Sequence, residues 1–282
     1  MGSRRYGVIL ACLVLAGLPG QSAGKTGRPE AGRLVASYDA GLAGINLGEF
    51  QVTARLAGSS YEMAAQGRFS LLAGLVFKAT GKSTSNGTIA DASPRPARYT
   101  FSFDDSKKRQ RLRMTFARGT VTDVTIDPPK RHGRDVPVTA AHLKDVLDPL
   151  TAAFLSVRSD APAGDVSVCN QTVRVFDGRQ RFDIVLSPKR SETLGTGAPK
   201  GLGGRAAVCR VRYKPISGYR PDHPGVEYMT KNDEVEAWLV PVPGTDFYIP
   251  YKILVPTTWG SGTVELTGLK ANLGTLQRAG AP

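Results

Sequence analysis

The sequence is short of cysteine, histidine, aromatic side chains and acid. Its 282 residues hold Cys 3, His 3, aromatics 7% and 24 Asp+Glu against 37 Lys+Arg, a net charge of +13. Each shortage excludes something. His132, His142 and His223 lie far apart, with no Cys or His at ligand spacing, so no metal site is supported. There is no Cys-x-x-Cys pair for redox chemistry. Gly260-Ser261-Gly262 lacks the spacing of a nucleophile elbow, and Gly201-Leu202-Gly203-Gly204 lacks the Gly-Lys-Ser/Thr ending of a phosphate cradle. The candidate acids are Asp104, Asp105, Asp123, Asp127, Asp177 and Asp183. Turn formation accounts for Asp104, Asp105 and Asp177, and Asp183 is expected in a surface pair with Arg181 or Arg179 that contributes little. No catalytic constellation emerges, and the chain reads as a non-enzyme without a cofactor.

Long apolar runs are missing too, apart from one near the start. Residues 8–18 are unbroken apolar, preceded by Arg4 and Arg5 and followed by the small, helix-breaking Pro19-Gly20-Gln21-Ser22-Ala23-Gly24. That order is a secretory signal, and the run falls short of the ~20 residues of a membrane span. The apolar run continues past Cys12, which argues against a lipoprotein site, and no Phe-Leu-Lys follows Arg4-Arg5, which argues against a twin-arginine signal. Cleavage near Gly24 puts Ser22 and Gly24 where small side chains are needed. The expected organisation is a signal peptide at 1–24, a flexible leader at 25–32, a β domain at 33–270 and a tail at 271–282. Export lowers the charge from +13 to +11 and leaves Cys169 and Cys209. An exported protein with two cysteines usually pairs them. The loop of about 40 residues gives such a bond about 4 kcal/mol of chain entropy.

What is present is turn-rich and strand-like. Gly 32 and a hydrophobic content of 41% support many turns around a real core. Phe50, Val52, Ala54 and Leu56 alternate with Gln51, Thr53 and Arg55, the period of a half-buried strand. Further strands are expected over 34–42, 61–67, 80–88, 97–104, 107–117, 120–126, 173–176, 182–186, 206–213, 235–240, 248–255 and 263–269. Asp177-Gly178-Arg179 marks a hairpin. Helices are expected over 71–78, capped by Ser70, over 140–147, capped by Thr139, and after Asp148 with Pro149 in the first position. The 156–168 stretch reads as a polar loop. The predicted fold is one curved, mainly antiparallel sheet or half-barrel, with two or three helices on the concave face and one disulfide.

Two features invite a functional reading. Lys107, Lys108, Arg109, Arg111 and Arg113 form a basic run that suits an anionic surface such as lipid headgroups or acidic polysaccharide. The competing reading is a solvated strand face that discourages edge pairing. Export and the lack of interleaved aromatics argue against nucleic acid. Leu71, Leu72, Leu75, Val76 and Phe77 are candidates to line a lipid-accepting concavity, or simply to complete the core.

The order of several short motifs carries a resemblance. Tyr38-Asp39, Leu42, Gly44-Ile45, Leu47-Gly48, Pro96-Ala97, Tyr99, Lys108-Arg109, Asp148-Pro149-Leu150, Val175-Phe176-Asp177-Gly178-Arg179 and Pro250-Tyr251 make residues 35–268 resemble the bacterial domain-of-unknown-function family 3108. The resemblance implies an exported, largely β protein of the Gram-negative envelope, located in the periplasm, with no catalytic residues to carry over. The expected role is binding a lipid or lipoprotein-like amphiphile in the concave face, with peripheral contact to an anionic membrane. The alternative is a structural or protein-interaction module with no small ligand, and an envelope-polymer hydrolase ranks last.

Overall fold

Period-2 alternation and two-residue turns build most of this chain. In the computed structural model, residues 32–71, 77–90, 93–105, 107–129 and 133–272 are described. They form thirteen strands in one sheet: β1 (Gly32–Leu42), β2 (Ile45–Ala57), β3 (Ser60–Leu71), β4 (Phe77–Ala90), β5 (Ser93–Asp105), β6 (Arg109–Ala117), β7 (Thr120–Asp127), β8 (Gln171–Phe176), β9 (Arg181–Thr193), β10 (Arg205–Ser217), β11 (Glu236–Pro241), β12 (Tyr248–Thr257) and β13 (Gly260–Asn272). Two α-helices are described, α1 (Pro149–Leu155) and α2 (Pro224–Lys231). Ala43 and Gly44 (φ 50 and 81) join β1 to β2, and Arg118 and Gly119 (φ 49 and 75) join β6 to β7. Two consecutive left-handed residues give the tight turn whose twist matches the strands it connects.

The sheet runs β7-β6-β5-β4-β3-β2-β1-β13-β12-β11-β10-β9-β8, antiparallel at every junction. Pairing of β1 with β13, from Arg33↔Asn272 to Leu42↔Gly262, places the two ends of the described chain at its centre. β7 and β8 are the edges and do not pair with each other. The stretch between them spans the gap with single bridges, Lys144 to Thr120 and Leu147 to Val175. The chain turns between these bridges at Asp145 (φ 51).

One face of every strand from β1 to β7 feeds a continuous core. Tyr38, Val52, Tyr61, Met63, Tyr99, Leu112 and Met114 meet Leu150 and Phe154 of α1, and Trp238, Val240 and Ile249 from the other half. α1 touches β3, β4, β5, β8 and β12. In a flat sheet β5 and β12 would lie six spacings apart, about 29 Å, whereas a seven-residue helix is only about 10 Å long. The sheet therefore bends around α1.

The helices differ from expectation. Residues 71, 77 and 78 are strand, with Leu71 paired to Phe77, so both ends of the stretch expected as a helix belong to β3 and β4, and residues 72–76 lie outside the described residues. Residues 140–147 hold only a 3-10 turn, Ala140–Leu143. Leu147 leaves it to bond β8, its amide donating to the Arg174 carbonyl at 2.8 Å. α2 falls in what reads as a Pro-rich loop and packs on β10.

Beyond β8 the outward face is covered as well. A disulfide joins Cys169 to Cys209, both fully buried. Val157, Val168 and Cys169 pack with Leu186, Ala207, Cys209, Ala237, Leu239 and Tyr248 in a second core. This covering segment is fastened by Arg158, whose Nε donates to Asp246 Oδ2 at 2.9 Å, and by the Tyr248 hydroxyl, which donates to the Ala161 carbonyl.

Candidate functional site

The most concentrated buried polar chemistry sits at the start of α1. Asp148 is fully buried and precedes Pro149, and its carboxylate caps the helix. Oδ1 accepts from the amides of Leu150 and Thr151, each at 3.0 Å. Oδ2 accepts from Ser85 Oγ of β4 at 2.8 Å and from Thr151 Oγ1 at 2.7 Å. Tyr61 of β3 adds its hydroxyl to Thr151 Oγ1 at 3.1 Å. Burial raises the Asp148 pKa even though all four donors favour the charged form. Burial also pushes Tyr61 up to about 12. Every acceptor position on the carboxylate is occupied by the chain itself. The cluster is thus a clamp that seats α1 on β3 and β4. As an acid or base it would first have to break its own cap.

The basic run divides. Arg109, Arg111 and Arg113 lie on the outward face of β6, because Leu112 and Met114 between them are in the core. Arg109 Nε and Arg111 Nη1 both donate to Asp104 of β5, at 2.8 and 3.0 Å. The Arg111 hydrogen bond, with Arg109 beside it, lowers the pKa of that carboxyl. Lys107 and Lys108 are exposed in the β5–β6 turn rather than on the strand, and their amides donate to Asp105 Oδ1, each at 2.6 Å. Arg111 and Arg113 border a groove of about 650 Å³ on this outward face, with Lys82, Thr100, Ser102 and Thr125 among its walls. Such a surface offers hydroxyls and guanidinium groups to an acidic or polyhydroxylic partner.

A third cluster was not legible in the sequence because α2 was not. Between β9, β10 and α2 lies a groove of about 590 Å³ walled by Arg179, Phe182, Tyr213, Arg220 and His223. The Tyr213 hydroxyl donates to Gln180 Oε1 at 2.9 Å, and burial, with Asp177 and Tyr219 nearby, pushes its pKa up to about 12. Arg181 and Asp183 pair at 2.7 Å, but Arg181 is only 3% exposed, so this is a buried ion pair and not the expected surface one. Strand residues two apart share a face, and here that face is covered.

Other sequence candidates resolve simply. His142 Nδ1 accepts from the Thr139 amide and His223 Nδ1 from the Gly225 amide, both at 3.2 Å. His132, Leu72, Leu75 and Val76 lie outside the described residues, and Leu71 and Phe77 are described only in their backbone. Among the described residues no group of three or more His, Cys, Asp and Glu converges as a metal site. Nor is any helix among them long and apolar enough to cross a membrane.

Two of the residues that carry the family resemblance, Tyr38 and Asp177, have structural roles. The Tyr38 hydroxyl donates to the Pro250 carbonyl at 2.9 Å, its ring stacks on Phe50 at 4.9 Å, and its edge meets Phe154 at 5.9 Å. Asp177 Oδ1 accepts from the amides of Arg179 and Gln180, holding the β8–β9 turn.

The family described as protein of unknown function (DUF3108) matches residues 37–267. No curated protein matches the sequence. Among solved structures, a β-barrel-like protein of domain of unknown function DUF1849 from Brucella abortus is similar at 11% identity and a TM-score of 0.48, covering 87% of this chain and 99% of that one.

Proposed function

Starting from the fact that the chain belongs to the DUF3108 family, we propose that it is a non-catalytic cell-envelope protein that acts through its outer surface. The observation that supports this most is the core shared by the two halves of the sheet. Strands from both halves of the sheet contribute side chains to one core around α1, and the one buried carboxylate there is used up as a clamp. A periplasmic address is supported by the signal-like residues 1–24 and by a fully buried Cys169–Cys209 disulfide, which suits an oxidising compartment. Contacts are then made from outside, with the hydroxyl- and arginine-lined face of β4–β7 as the leading surface.

Native mass spectrometry of the protein isolated from cells tests the interior. The expected mass is that of the chain lacking residues 1–24, with one disulfide and no bound amphiphile. One lipid per chain would restore the carrier reading, in which the inner face holds a lipid or lipoprotein segment. A photocrosslinking side chain at Thr100, on the outward face, is expected to give discrete adducts with envelope components in intact cells. Adducts from core positions alone would sink the surface reading.

A further inference from the structure

The groove of about 590 Å³ between β9, β10 and α2 is built from three stretches far apart in sequence. Gly218 (φ 77), just past β10, lets the β8–β9 turn lie directly against it. A Cβ there would meet the Arg179 carbonyl oxygen at 1.9 Å. The Gly218 amide donates to the Val136 carbonyl at 2.7 Å, and the Val136 amide donates to the Tyr219 carbonyl at 2.8 Å. That pairing brings Asp135 to the groove. α2 supplies a further wall. Pro224 opens it, the His223 ring caps it, and Tyr228 and Asn232 tie its far end to the Pro256 carbonyl at 2.8 and 2.9 Å. Every wall is thus held by the chain's own contacts, so a ligand would not have to order them.

The lining is apolar with one unanswered cation. The rings of Phe182 and Tyr213 meet at 5.3 Å, tilted by 46°. Val226 and Met229, three residues apart on α2, complete the apolar part. Arg179 is different. Its guanidinium enters no ion pair with a described residue, and its Nε is buried without a hydrogen-bond partner. Native chains rarely leave such a donor unanswered. His223 Nδ1 accepts from the Gly225 amide, so the neutral ring carries its proton on Nε2, a second donor.

The acids around the groove are taken. Asp222 pairs with Arg220 at 3.0 Å, and Asp183 with Arg181 at 2.7 Å. Asp177 Oδ1 accepts from the amides of Arg179 and Gln180 at 2.7 and 2.6 Å. Asp135 has a partner as well. Arg220 is therefore already answered, and Arg179 is the arginine of the lining left for an outside acceptor.

We propose that this groove binds a small carboxylic acid with an apolar, ring-sized body. Arg179 receives the carboxylate, His223 donates to it from the rim, and the body lies on Phe182, Tyr213, Val226 and Met229. A guanidinium presents its donors as a planar fork that matches two carboxylate oxygens. Aromatic rings and a thioether favour a flat apolar group beside them. The volume falls in the range of small-ligand sites, about 300–1,000 Å³. A neutral sugar would leave the guanidinium without a counter-charge, and a bare anion would leave the apolar lining wet. The site is separate from the β4–β7 face proposed above and depends neither on that face nor on the interior.

Titration by saturation-transfer nuclear magnetic resonance tests it, using the chain as isolated from cells. The probes are 3-phenylpropionate and its neutral twin 3-phenylpropanamide. The acid is expected to bind saturably, and the amide about tenfold more weakly or less. Arg179→Gln should bring the acid down to the level of the amide. It should leave the unfolding midpoint unchanged, because the guanidinium has no bond to lose. Arg179→Lys, which keeps the charge but not the fork, should fall between them. Met229→Glu sets a carboxylate against the apolar lining and should abolish binding of the acid. The fold should tolerate it, since α2 has no buried residue. Absence of saturable binding overturns the proposal. So does equal binding of acid and amide, or acid binding that Arg179→Gln leaves unmoved. A peptide ending in phenylalanine that binds more tightly than the free acid would also overturn it, by assigning the groove to a chain terminus. A lipid held inside the sheet would respond to neither substitution, and native mass spectrometry reads it separately.

Discussion

The two halves of the sheet use the same antiparallel ladder but solve burial differently. From β1 to β7 the strands bury one face and wet the other. In β11, in the 206–209 part of β10 and at the start of β12 both faces are covered, inside by the shared core and outside by the segment around Val157, Val168 and Cys169. The sequence difference behind this is plain. β2 alternates Val52, Ala54 and Leu56 with Thr53 and Arg55, whereas β10 carries Ala206-Ala207-Val208-Cys209 and β11 carries Ala237-Trp238-Leu239-Val240. Alternation marks a strand with one wet face, and a continuous apolar run marks one enclosed on both. The enclosed half should be the rigid frame and the open half the adaptable surface, and three groups of substitutions test that division.

The largest effect is expected from the disulfide. Cys169→Ala with Cys209→Ala releases a loop of 40 residues, worth about 4 kcal/mol by chain entropy. Denaturant unfolding should show the loss. Amide exchange should show where it falls, in the 157–170 segment and in β9 to β11, while β2 to β4 keep their protection until global unfolding. Equal loss in both halves would mean that they unfold as one unit and that the division has no energetic meaning. Leu239→Ala, which removes a side chain from the outer of the two cores, should cost about 2–5 kcal/mol, a price no outward residue of β2 to β7 should match.

A smaller effect is expected where the halves meet. Asp148→Ala removes the cap of α1 and its tie to Ser85, and should cost about 2–3 kcal/mol. Asp148→Asn keeps an oxygen for the two amides and offers its amino group to the two hydroxyls, so it should cost less. The pH dependence carries the sign. Burial raises the Asp148 pKa in the folded state, so the folded chain holds this proton more tightly than the unfolded one. The stability this residue confers is full below the unfolded value of about 3.9 and is lost as pH rises towards the folded one. The advantage of the parent over Asp148→Asn should therefore shrink as pH rises above about 4 in denaturant titrations. An advantage that grows with pH would show that the four hydrogen bonds outweigh burial.

What was legible in the sequence follows the same division. Thirteen strand segments could be read because alternation and turn residues are local signals, and the expected mainly antiparallel sheet is realised as thirteen strands in one open sheet. The apolar stretch from Leu71 misled, because a short run without periodicity fits a helix or a strand equally, and pairing of Leu71 with Phe77 is decided by β3 and β4 as a whole. α2 was hidden by Gly225 and Pro224. Pro224 in the first helical position, followed by Glu227 four residues before Lys231, was the available cue. Asp148 could be read as a cap from Asp148-Pro149, but its bond to Ser85 joins residues 63 apart and leaves no local trace. The unbroken apolar runs of β10 and β11 were the available cue to their covering, against which the 156–168 stretch read as a polar loop. The exposure of Trp259 was not readable, since a tryptophan in a turn reads the same whether it folds back or stands out.

The smallest effect is expected on the open face, and it is the most discriminating. Thr84 and Thr100 exchange a hydrogen bond of 2.7 Å across β4 and β5, both pointing outward. An exposed side-chain pair of this kind competes with water, so Thr100→Ala should change stability by no more than about 0.5 kcal/mol. If the face exists only to close the fold, that small change is the end of the matter. If it is a contact surface, the same substitution, extended to Arg113→Ser in the adjoining strand, should leave the unfolding midpoint nearly unchanged while removing crosslinks formed from this face in cells. Arg113 is the cleaner of the two positions. Its neighbours across the strands are Thr100 and Thr125, whereas Arg111 shares Asp104 with Arg109 and its loss would alter an ion pair as well as a surface. A drop in stability beyond about 1 kcal/mol for Arg113→Ser would assign this face to the frame and remove the distinction between the halves.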